Sequence, residues 1–433
     1  MDRYSETLDY IYNLRGGMID LRLDRMERAL ALFDHPERQF ATLHIAGTNG
    51  KGSTAAMLQR ILSLAGYRSA LYTSPHLVSF TERMRIGDAE ISSEDVVALA
   101  AEVRRRTDEA AVPLTFFEFV TVMAFIYFAR RQVDVGVIEV GMGGRLDATN
   151  LVTPLVSVIT TISKDHQAFL GADEISIGRE KGGIIKPGVP VVCGKMSGEV
   201  AKLLQGIARE RGAPAYFLGV DYGFSLKNEG LFDYTGIKQS FENLKLALPG
   251  RYQRANCSLA LAALELAQER LPVSAEALRQ GLATVCWPGR LEVMLDRPMV
   301  ILDGAHNGEG VQALVDELSG LRRGRRIRLL FAAMADKEWQ LMLRTLGKVV
   351  DEVIFTRAEM ARSAEPEQLA AELNGIIPNR VIRDAKLALR TLLDEALDND
   401  IIVVAGSLYL LGEIRPMAQQ FALAKAAGAQ DSD

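Results

Sequence analysis

Apolar and polar residues alternate along the chain in blocks that predict strands followed by helices. The apolar stretch ATLHIAG (41–47) precedes STAAMLQRILSLAG (53–66), whose apolar residues recur at helical spacing and whose Gly66 suits a C-terminal cap. Further along, VDVGVIEVG (133–141) and LVSVITTI (155–162) are rich in β-branched residues and lack polar alternation. Continuous apolar strands of this kind are typical of a parallel sheet covered on both faces.

This pattern changes twice toward the C-terminus. Residues 216–250 carry Gly, Asn and Asp between short β-prone runs, which predicts hairpins on the edge of the sheet. From Trp287 a second series of apolar strands and helices begins, with strands MVILDGA, RIRLLFAAM, EVIFTR and DIIVVAG. We therefore predict two domains, residues 1–287 and a smaller α/β domain of residues 288–433.

Composition excludes several classes of protein. The chain has 433 residues, of which 48% are hydrophobic and 24% charged, so it can bury a sizeable core. Its net charge is only -5 and it has no basic run, which argues against nucleic-acid and membrane partners and favours small-molecule substrates. The most apolar run, residues 119–129, is about half the roughly 20 residues that a membrane span needs, so we expect a buried helix.

The cysteines and the N-terminal residues indicate a cytoplasmic protein. The three cysteines, Cys193, Cys257 and Cys286, are far apart and form no C-x-x-C pair. Residues 1–17 lack the apolar core and small-residue cleavage site of a signal peptide. We expect reduced thiols and a cytoplasmic location.

The stretch HIAGTNGKGST (44–54) lies between a predicted strand and a predicted helix, where backbone N–H groups favour an anion. Its three glycines would let the backbone approach a phosphate, and Lys51 would supply a charge, while Ser53 or Thr54 could reach a magnesium ion. The spacing nevertheless departs from the standard G-x-x-x-x-G-K-[ST] loop, because Lys51 is followed by Gly52. On its own the stretch could equally be a tight packing turn.

Polar residues follow two other predicted strands of the first domain. Glu139 ends one strand and Asp147 follows it, while Asp165 and His166 follow the next strand. In an open α/β sheet this edge binds ligands, although a strand end in solvent and a structural histidine are equally consistent with these residues.

In the second predicted domain, Asp303, His306 and Asn307 follow a strand, and Asp303 could cap the next helix or accept from a ribose hydroxyl. A strand-end polar cluster in each domain suggests a ligand held in the cleft between the two domains.

Nine motifs in chain order carry a family resemblance: GTNGKGS, YTSPHL, GMGGRLDATN, DHQAFLG, REKGGIIKPG, GRYQRAN, WPGRLE, DGAHN and VVAGSLYLLGEIR. Together they resemble the folylpolyglutamate synthase and dihydrofolate synthase family, which belongs to the Mur-type ATP-dependent amide ligases. The resemblance runs from Ile45 to Arg415. It implies a mostly parallel-sheet P-loop ATPase domain, then a smaller Rossmann-like α/β domain, with the active site in the interdomain cleft.

The activity implied by the resemblance is ATP-dependent ligation of L-glutamate to a pterin-bearing acid through an acyl phosphate. We expect a bifunctional, monomeric enzyme that acts on dihydropteroate and then on reduced folates. The alternatives are a polyglutamylase alone, a P-loop kinase acting on a small molecule, and a non-catalytic nucleotide-binding module.

The resemblance also assigns residues to ATP and metal. The residues implied for ATP are Gly47, Thr48, Asn49, Gly50, Lys51, Gly52, Ser53, Asn256, Arg290, Asp303 and His306. Those implied for magnesium, at two sites, are Ser74, Glu139, His166 and Lys181, the last as a carbamylated lysine. Lys51, Glu139, His166 and Lys181 would form the catalytic set, and a potassium requirement is left open.

Three residues match the dihydropteroate site of bifunctional members: Thr115, Phe117 and Asp147. Phe117 on an apolar helix could instead be core packing. Arg83 and Arg85 are candidate contacts for a substrate carboxylate. The sequence KGGIIK stands where the resemblance leads us to expect KAGIIK, so Gly182 replaces an alanine and leaves Lys181 in place.

Overall fold

The structure, a computed structural model, describes residues 2–14 and 22–430. The chain forms two compact units. The first comprises Met1–Ala247 and Gln253–Cys286, and the second comprises Leu248–Tyr252 and Trp287–Asp433.

The described part of the first unit contains an eight-stranded sheet in the order β4-β3-β2-β5-β1-β6-β7-β8. Its strands are β1 Ala41–Ala46, β2 Ser69–Tyr72, β3 Met84–Ile86, β4 Ala89–Glu90, β5 Val135–Glu139, β6 Val156–Ile159, β7 Val191–Cys193 and β8 Ala215–Phe217. The strands from β2 to β8 in that order pair in parallel, and β3 and β4 add an antiparallel edge. Every residue of β2, β5, β6 and β7 is buried, which confirms the predicted parallel sheet covered on both faces.

α-Helices precede, separate and follow these strands along the chain. Up to residue 284 they are α1 Arg3–Tyr12, α2 Asp24–Ala31, α3 Lys51–Leu64, α4 Ser93–Glu109, α5 Phe116–Arg130, α6 Gln167–Leu170, α7 Glu174–Gly182, α8 Gly198–Glu210, α9 Tyr252–Ala267 and α10 Ala275–Thr284. Residues 118–128 of α5 are all buried, so the predicted buried helix is confirmed. Gly66 follows α3 with φ of 92°, which is the left-handed conformation expected of a C-terminal cap.

The predicted hairpins exist, but they form their own antiparallel sheet in the order β11-β10-β9. Its strands are β9 Gly223–Leu226, β10 Phe232–Thr235 and β11 Ser240–Leu244. The expectation that they extend the large sheet was therefore wrong. Buried and exposed positions mix along β10 and β11, so these strands have one face to bury and do not suit a sheet buried on both faces.

The second unit is built on a six-stranded sheet in its described residues, in the order β12-β13-β17-β14-β15-β16. Its strands are β12 Glu292–Asp296, β13 Met299–Leu302, β14 Ile327–Phe331, β15 Glu352–Phe355, β16 Asn379–Val381 and β17 Ile401–Ala405. Only β12 is antiparallel to its neighbour. The helices are α11 Gly308–Arg322, α12 Trp339–Leu346, α13 Pro366–Glu372, α14 Ala385–Glu395 and α15 Leu408–Gln430. No helix within the described ranges has the length and apolar character required to cross a membrane.

Gly182, which stands where the family resemblance leads us to expect alanine, is the last residue of α7. A methyl group added at Gly182 would lie 2.8 Å from Cδ1 of Ile207 and 3.0 Å from Cδ2 of Leu204. These atoms are the ends of flexible side chains. At the next position, a methyl group on Gly183 would lie 2.3 Å from the Cα atom of Arg145, which is backbone.

We therefore predict different outcomes for two adjacent alanine substitutions. Gly182→Ala should change the free energy of unfolding by no more than about 1 kcal/mol, because the gain in helix propensity offsets a small side-chain shift. Gly183→Ala should cost more than about 2 kcal/mol, because backbone atoms must move. Denaturant unfolding followed by circular dichroism measures both, and equal losses would contradict the packing described for Gly183.

Candidate active site

Two positions in the segment between β1 and α3 have a backbone conformation that favours glycine. Gly47 has φ of 147° and Gly50 has φ of 88°. A methyl group on Gly47 would lie 1.8 Å from Oγ1 of Thr160, and one on Gly50 would lie 2.3 Å from Oδ1 of Asn256. Gly50 is the N-cap of α3 and has no side chain with which to cap the first N–H groups of that helix. The loop therefore presents backbone donors to an anion, as a phosphate loop does.

Hydrogen bonds to the end of β6 and the residues after it fix this loop in place. The Thr48 N–H donates to the Thr161 carbonyl at 2.7 Å, and the Asn49 N–H donates to Thr161 Oγ1 at 3.1 Å. Thr160 Oγ1 donates to the Asn49 carbonyl at 2.6 Å, and Thr48 Oγ1 donates to the Ser163 carbonyl at 3.1 Å. The loop is thus preorganised, with the Thr48 hydroxyl contributing to its anchoring.

Two lysines converge on one carbonyl of the loop. Lys51 Nζ donates to the carbonyls of Gly47 at 3.0 Å and Thr48 at 3.1 Å, while Lys181 Nζ donates to the Gly47 carbonyl at 2.8 Å. Burial, and then repulsion from Lys51, lowers the pKa of the Lys181 amine to about 7. The loop therefore combines backbone donors with two amines.

Gln253 is a site residue that sequence reasoning missed. It is fully buried, and its Nε2 donates to Oγ of Ser53 at 3.2 Å. Its Oε1 accepts from Nδ2 of Asn256 at 2.9 Å, so one amide links the phosphate loop to the residue predicted to contact adenine. The available signal was its position three residues before Asn256, which places both on one face of α9.

The structure brings together two of the predicted metal ligands. β2 and β5 are neighbours in the sheet, so Ser74 and Glu139 meet at their carboxyl ends, where the Ser74 N–H donates to Glu139 Oε2 at 3.4 Å. His166 has a left-handed backbone, and its Nε2 lies 3.9 Å from Oδ2 of Asp165. Within residues 2–14 and 22–430, no three His, Cys, Asp or Glu side chains are grouped as a metal cage. The Glu139 carboxylate and the Ser74 hydroxyl supply oxygen ligands of the kind that Mg²⁺ prefers.

Asp147 and Phe117 contact neighbouring residues of the glycine-rich segment that follows β5. The Asp147 carboxylate accepts from the Met142 N–H at 2.9 Å and from the Thr149 N–H at 3.0 Å, and so caps the short 3₁₀ helix of residues 148–151. Burial raises the pKa of Asp147, and its hydrogen bonds oppose that shift. A methyl group on Gly141 would lie 2.4 Å from Cζ of Phe117. The aromatic ring therefore covers the residue that precedes Met142.

Thr115 and Phe117 are held by the N-terminus of α5. Thr115 is the N-cap, and it forms a capping box in which Glu118 Oε2 accepts from the Thr115 N–H at 2.8 Å. Arg25, which is also buried, donates to Glu118 Oε1 at 2.8 Å. Phe117 is half-buried and packs against the core, so part of its ring does fill the core.

Arg83 and Arg85 lie in different surroundings. Arg83 is buried, its Nε donates to Nδ1 of His76 at 2.8 Å, and its guanidinium lies 5.3 Å from the ring centre of Phe116. Arg85 Nη2 donates to the Asp88 carbonyl at 3.5 Å. Only Arg83 therefore lies beside the aromatic start of α5.

In the second unit, Asp303 organises the backbone around it. Its Oδ2 accepts from the Leu291 N–H at 2.8 Å and its Oδ1 from the Ala305 N–H at 2.9 Å. The N-cap of α11 is Asn307, whose Oδ1 accepts from the Gly310 N–H at 2.8 Å. The suggestion that Asp303 caps this helix was wrong, because the helix begins several residues further along the chain.

Arg290 and His306 both contact Gly304. A methyl group there would lie 2.3 Å from Nη1 of Arg290, and Nδ1 of His306 is 2.8 Å from the Gly304 carbonyl. Since a carbonyl only accepts, Nδ1 of His306 carries a proton. Three of the residues predicted to bind nucleotide, Arg290, Asp303 and His306, thus share one region of the second unit.

Two protein-family models match this chain. Residues 45–264 match the Mur ligase middle domain, and residues 289–408 match the Mur ligase, glutamate ligase domain. The dihydrofolate synthase/folylpolyglutamate synthase of Bacillus subtilis (strain 168) is 35% identical over 427 residues, which cover 95% of this chain and 98% of that protein.

Solved structures are similar over the same extent. E. coli FolC in complex with DHPP and ADP is 33% identical with a TM-score of 0.89, covering 96% of this chain and 97% of that one. A bifunctional folylpolyglutamate synthase/dihydrofolate synthase with Mn, AMPPNP and L-glutamate bound is 33% identical with a TM-score of 0.87, covering 96% of this chain and 98% of that one. The chain therefore belongs to the dihydrofolate synthase/folylpolyglutamate synthase family of Mur ligases, as its motifs predicted.

Proposed function

We propose that this protein is a bifunctional enzyme that uses ATP to ligate L-glutamate to dihydropteroate and to reduced folates. The observation that carries the proposal is the contact of Lys51 with the Gly47 carbonyl, beside the N-terminus of α3, whose N-cap is a glycine. Such a site suits a polyphosphate. The names of the Bacillus subtilis relative and of the similar solved structures support the acceptor and the amino acid.

The reaction proceeds in two displacement steps. The acceptor carboxylate attacks the γ-phosphorus of ATP, the bond to ADP breaks, and an acyl phosphate forms. The glutamate amine then attacks the acyl carbon and phosphate leaves. Neither step uses a nucleophilic side chain, so the enzyme contributes positioning and charge neutralisation. In this scheme Lys51 exchanges its carbonyl partners for phosphate oxygens, while the first N–H groups of α3 donate to the same phosphates.

Magnesium ions would neutralise phosphate charge in this reaction. We propose Ser74, Glu139 and His166 as ligands of one ion. Carbamylated Lys181 would contribute to a second. The manganese and AMPPNP bound in a similar solved structure support a divalent ion beside the nucleotide.

The remaining site residues divide between nucleotide and pterin. We propose that Asn256, Arg290, Asp303 and His306 bind the adenosine part of ATP. Thr115, Phe117 and Asp147 would bind the pterin. The ring of Phe117 and the carboxylate of Asp147 would contact it beside Gly141 and Met142, the two neighbouring residues against which they lie. Residues 1–287 would act as the ATP-binding domain and residues 288–433 as the C-terminal ligase domain.

The first prediction concerns the two acceptors. With ATP, Mg²⁺ and L-glutamate, the enzyme should release ADP with either dihydropteroate or tetrahydrofolate, and mass spectrometry should find a glutamylated product of each. Product from tetrahydrofolate alone would show a polyglutamylase only. Product from neither acceptor, or a stable phosphorylated acceptor that forms without glutamate, would overturn the ligase assignment.

The second prediction concerns the phosphate loop. Lys51→Ala should lower kcat by about 10³-fold or more, because it removes a charge that stabilises the transferring phosphoryl group. Lys202→Ala, which changes an exposed lysine on α8, serves as the matched control. Circular dichroism should be unchanged for both variants. Near-normal ligation by the Lys51 variant would exclude the phosphate-loop role.

The third prediction concerns the metal. His166→Ala should shift the magnesium dependence of ligation to about tenfold higher concentration, because the imidazole no longer contributes to the metal site. His35→Ala, which changes a half-exposed histidine bonded to Glu37, is the control. A magnesium titration identical to that of the wild type would make His166 a structural residue.

A further inference from the structure

Two buried side chains behind Asp147 have no part in the proposed reaction. His44 lies in β1 and Thr149 in the 3₁₀ helix that Asp147 caps, and both are 0% exposed. Oγ1 of Thr149 lies 2.5 Å from Oδ1 of Asp147 and 2.9 Å from Nε2 of His44. The three residues therefore form a continuous chain of hydrogen bonds that starts inside the sheet and ends at the carboxylate.

The direction of each hydrogen bond follows from the donors available. The Thr149 hydroxyl has one proton, which it donates to Asp147, so its oxygen must accept from the Nε2–H of His44. Burial, and then repulsion from Lys186, lowers the pKa of His44 to about 3, which keeps the imidazole neutral. His44 is thus the Nε2–H tautomer, and each donor points towards Asp147.

Stability alone does not explain a histidine at this position. Its Nδ1 is buried and, within the described part of the chain, has no hydrogen-bond partner. An unsatisfied buried acceptor destabilises the folded state, whereas an apolar side chain would fill the buried space beside β1 without that penalty. What the imidazole supplies is the N–H that orients the Thr149 hydroxyl.

We infer that His44 and Thr149 are positioning residues for the pterin site, which together fix the orientation of the Asp147 carboxylate. Oδ1 of Asp147 receives the Thr149 hydroxyl and N–H, and Oδ2 receives the Met142 N–H. With donors on both oxygens the carboxylate cannot rotate, so a further N–H donor, such as that of a heterocycle, must approach it from a fixed direction. This inference rests on the proposed contact of Asp147 with the pterin.

The first test removes the hydroxyl without changing the side-chain shape. Thr149→Val should raise KM for dihydropteroate about tenfold and leave KM for ATP unchanged, because one hydrogen bond to a charged group is lost. Thr149→Ser retains the hydroxyl and should restore KM. Thr107→Val is the matched control, since it removes a buried hydroxyl of α4 that donates to the Val103 carbonyl and should leave both KM values unchanged.

A second variant separates positioning from stability. His44→Leu removes both the N–H and the unsatisfied Nδ1, so its denaturation midpoint should be no lower than that of the wild type. KM for dihydropteroate should nevertheless rise about tenfold. A merely structural histidine would give the reverse result, a lower midpoint with an unchanged KM.

Asp147→Asn distinguishes failure of the inference from failure of the proposed function. If this variant loses affinity for dihydropteroate while Thr149→Val and His44→Leu keep wild-type KM values, the positioning role is overturned and the pterin site stands. If Asp147→Asn itself keeps the wild-type KM, Asp147 does not contact the pterin, and the positioning role falls with it.

Discussion

The structure of the first unit depends on how closely the loop after β1 approaches the end of β6. A side chain at Gly47 would overlap the Thr160 hydroxyl. The two segments can therefore approach this closely only because residue 47 has no side chain. This approach allows one carbonyl to accept from both Lys51 and Lys181. At the N-cap of α3, Gly50 has no side chain to cover the first N–H groups of the helix. The proposed anion binding therefore depends on main-chain geometry that no other residue type can adopt.

Strand order then determines which side chains lie beside this loop. In the order β2-β5-β1-β6, the carboxyl ends of four parallel strands are adjacent. They carry Ser74 after β2, Glu139 at the end of β5, the phosphate loop after β1, and Thr160 after β6. The proposed ligand contacts cluster at this edge because every strand of a parallel sheet ends on the same side. Residues far apart in sequence thus reach one region of the sheet.

Prediction from sequence succeeded where a single element carries the signal. Three features are local patterns that the sequence shows directly: the continuous apolar strands, the apolar helix α5 and the glycine-rich loop between β1 and α3. Each was identified. Contacts between distant residues were not, because Gln253 reaches Ser53, and His44 reaches Thr149, only after the sheet and helices have packed. Short strands such as β12 and β16 were missed because three to five residues show too little periodicity. Of the two roles suggested for Asp303, the cap of α11 was wrong, because helix starts are poorly defined in sequence.

Buried polar groups give the first unit an electrostatic conflict that substrates can relieve. Burial raises the pKa of Asp147 and lowers that of Lys181, so in each case it disfavours the charged form. At neutral pH both shifts cost the folded state free energy, since in the unfolded chain both groups are charged without that penalty. N–H donors of a bound substrate beside Asp147 would favour its charged form again. Part of the free energy lost on folding is therefore recovered when ligands bind, which favours binding of molecules with complementary charge.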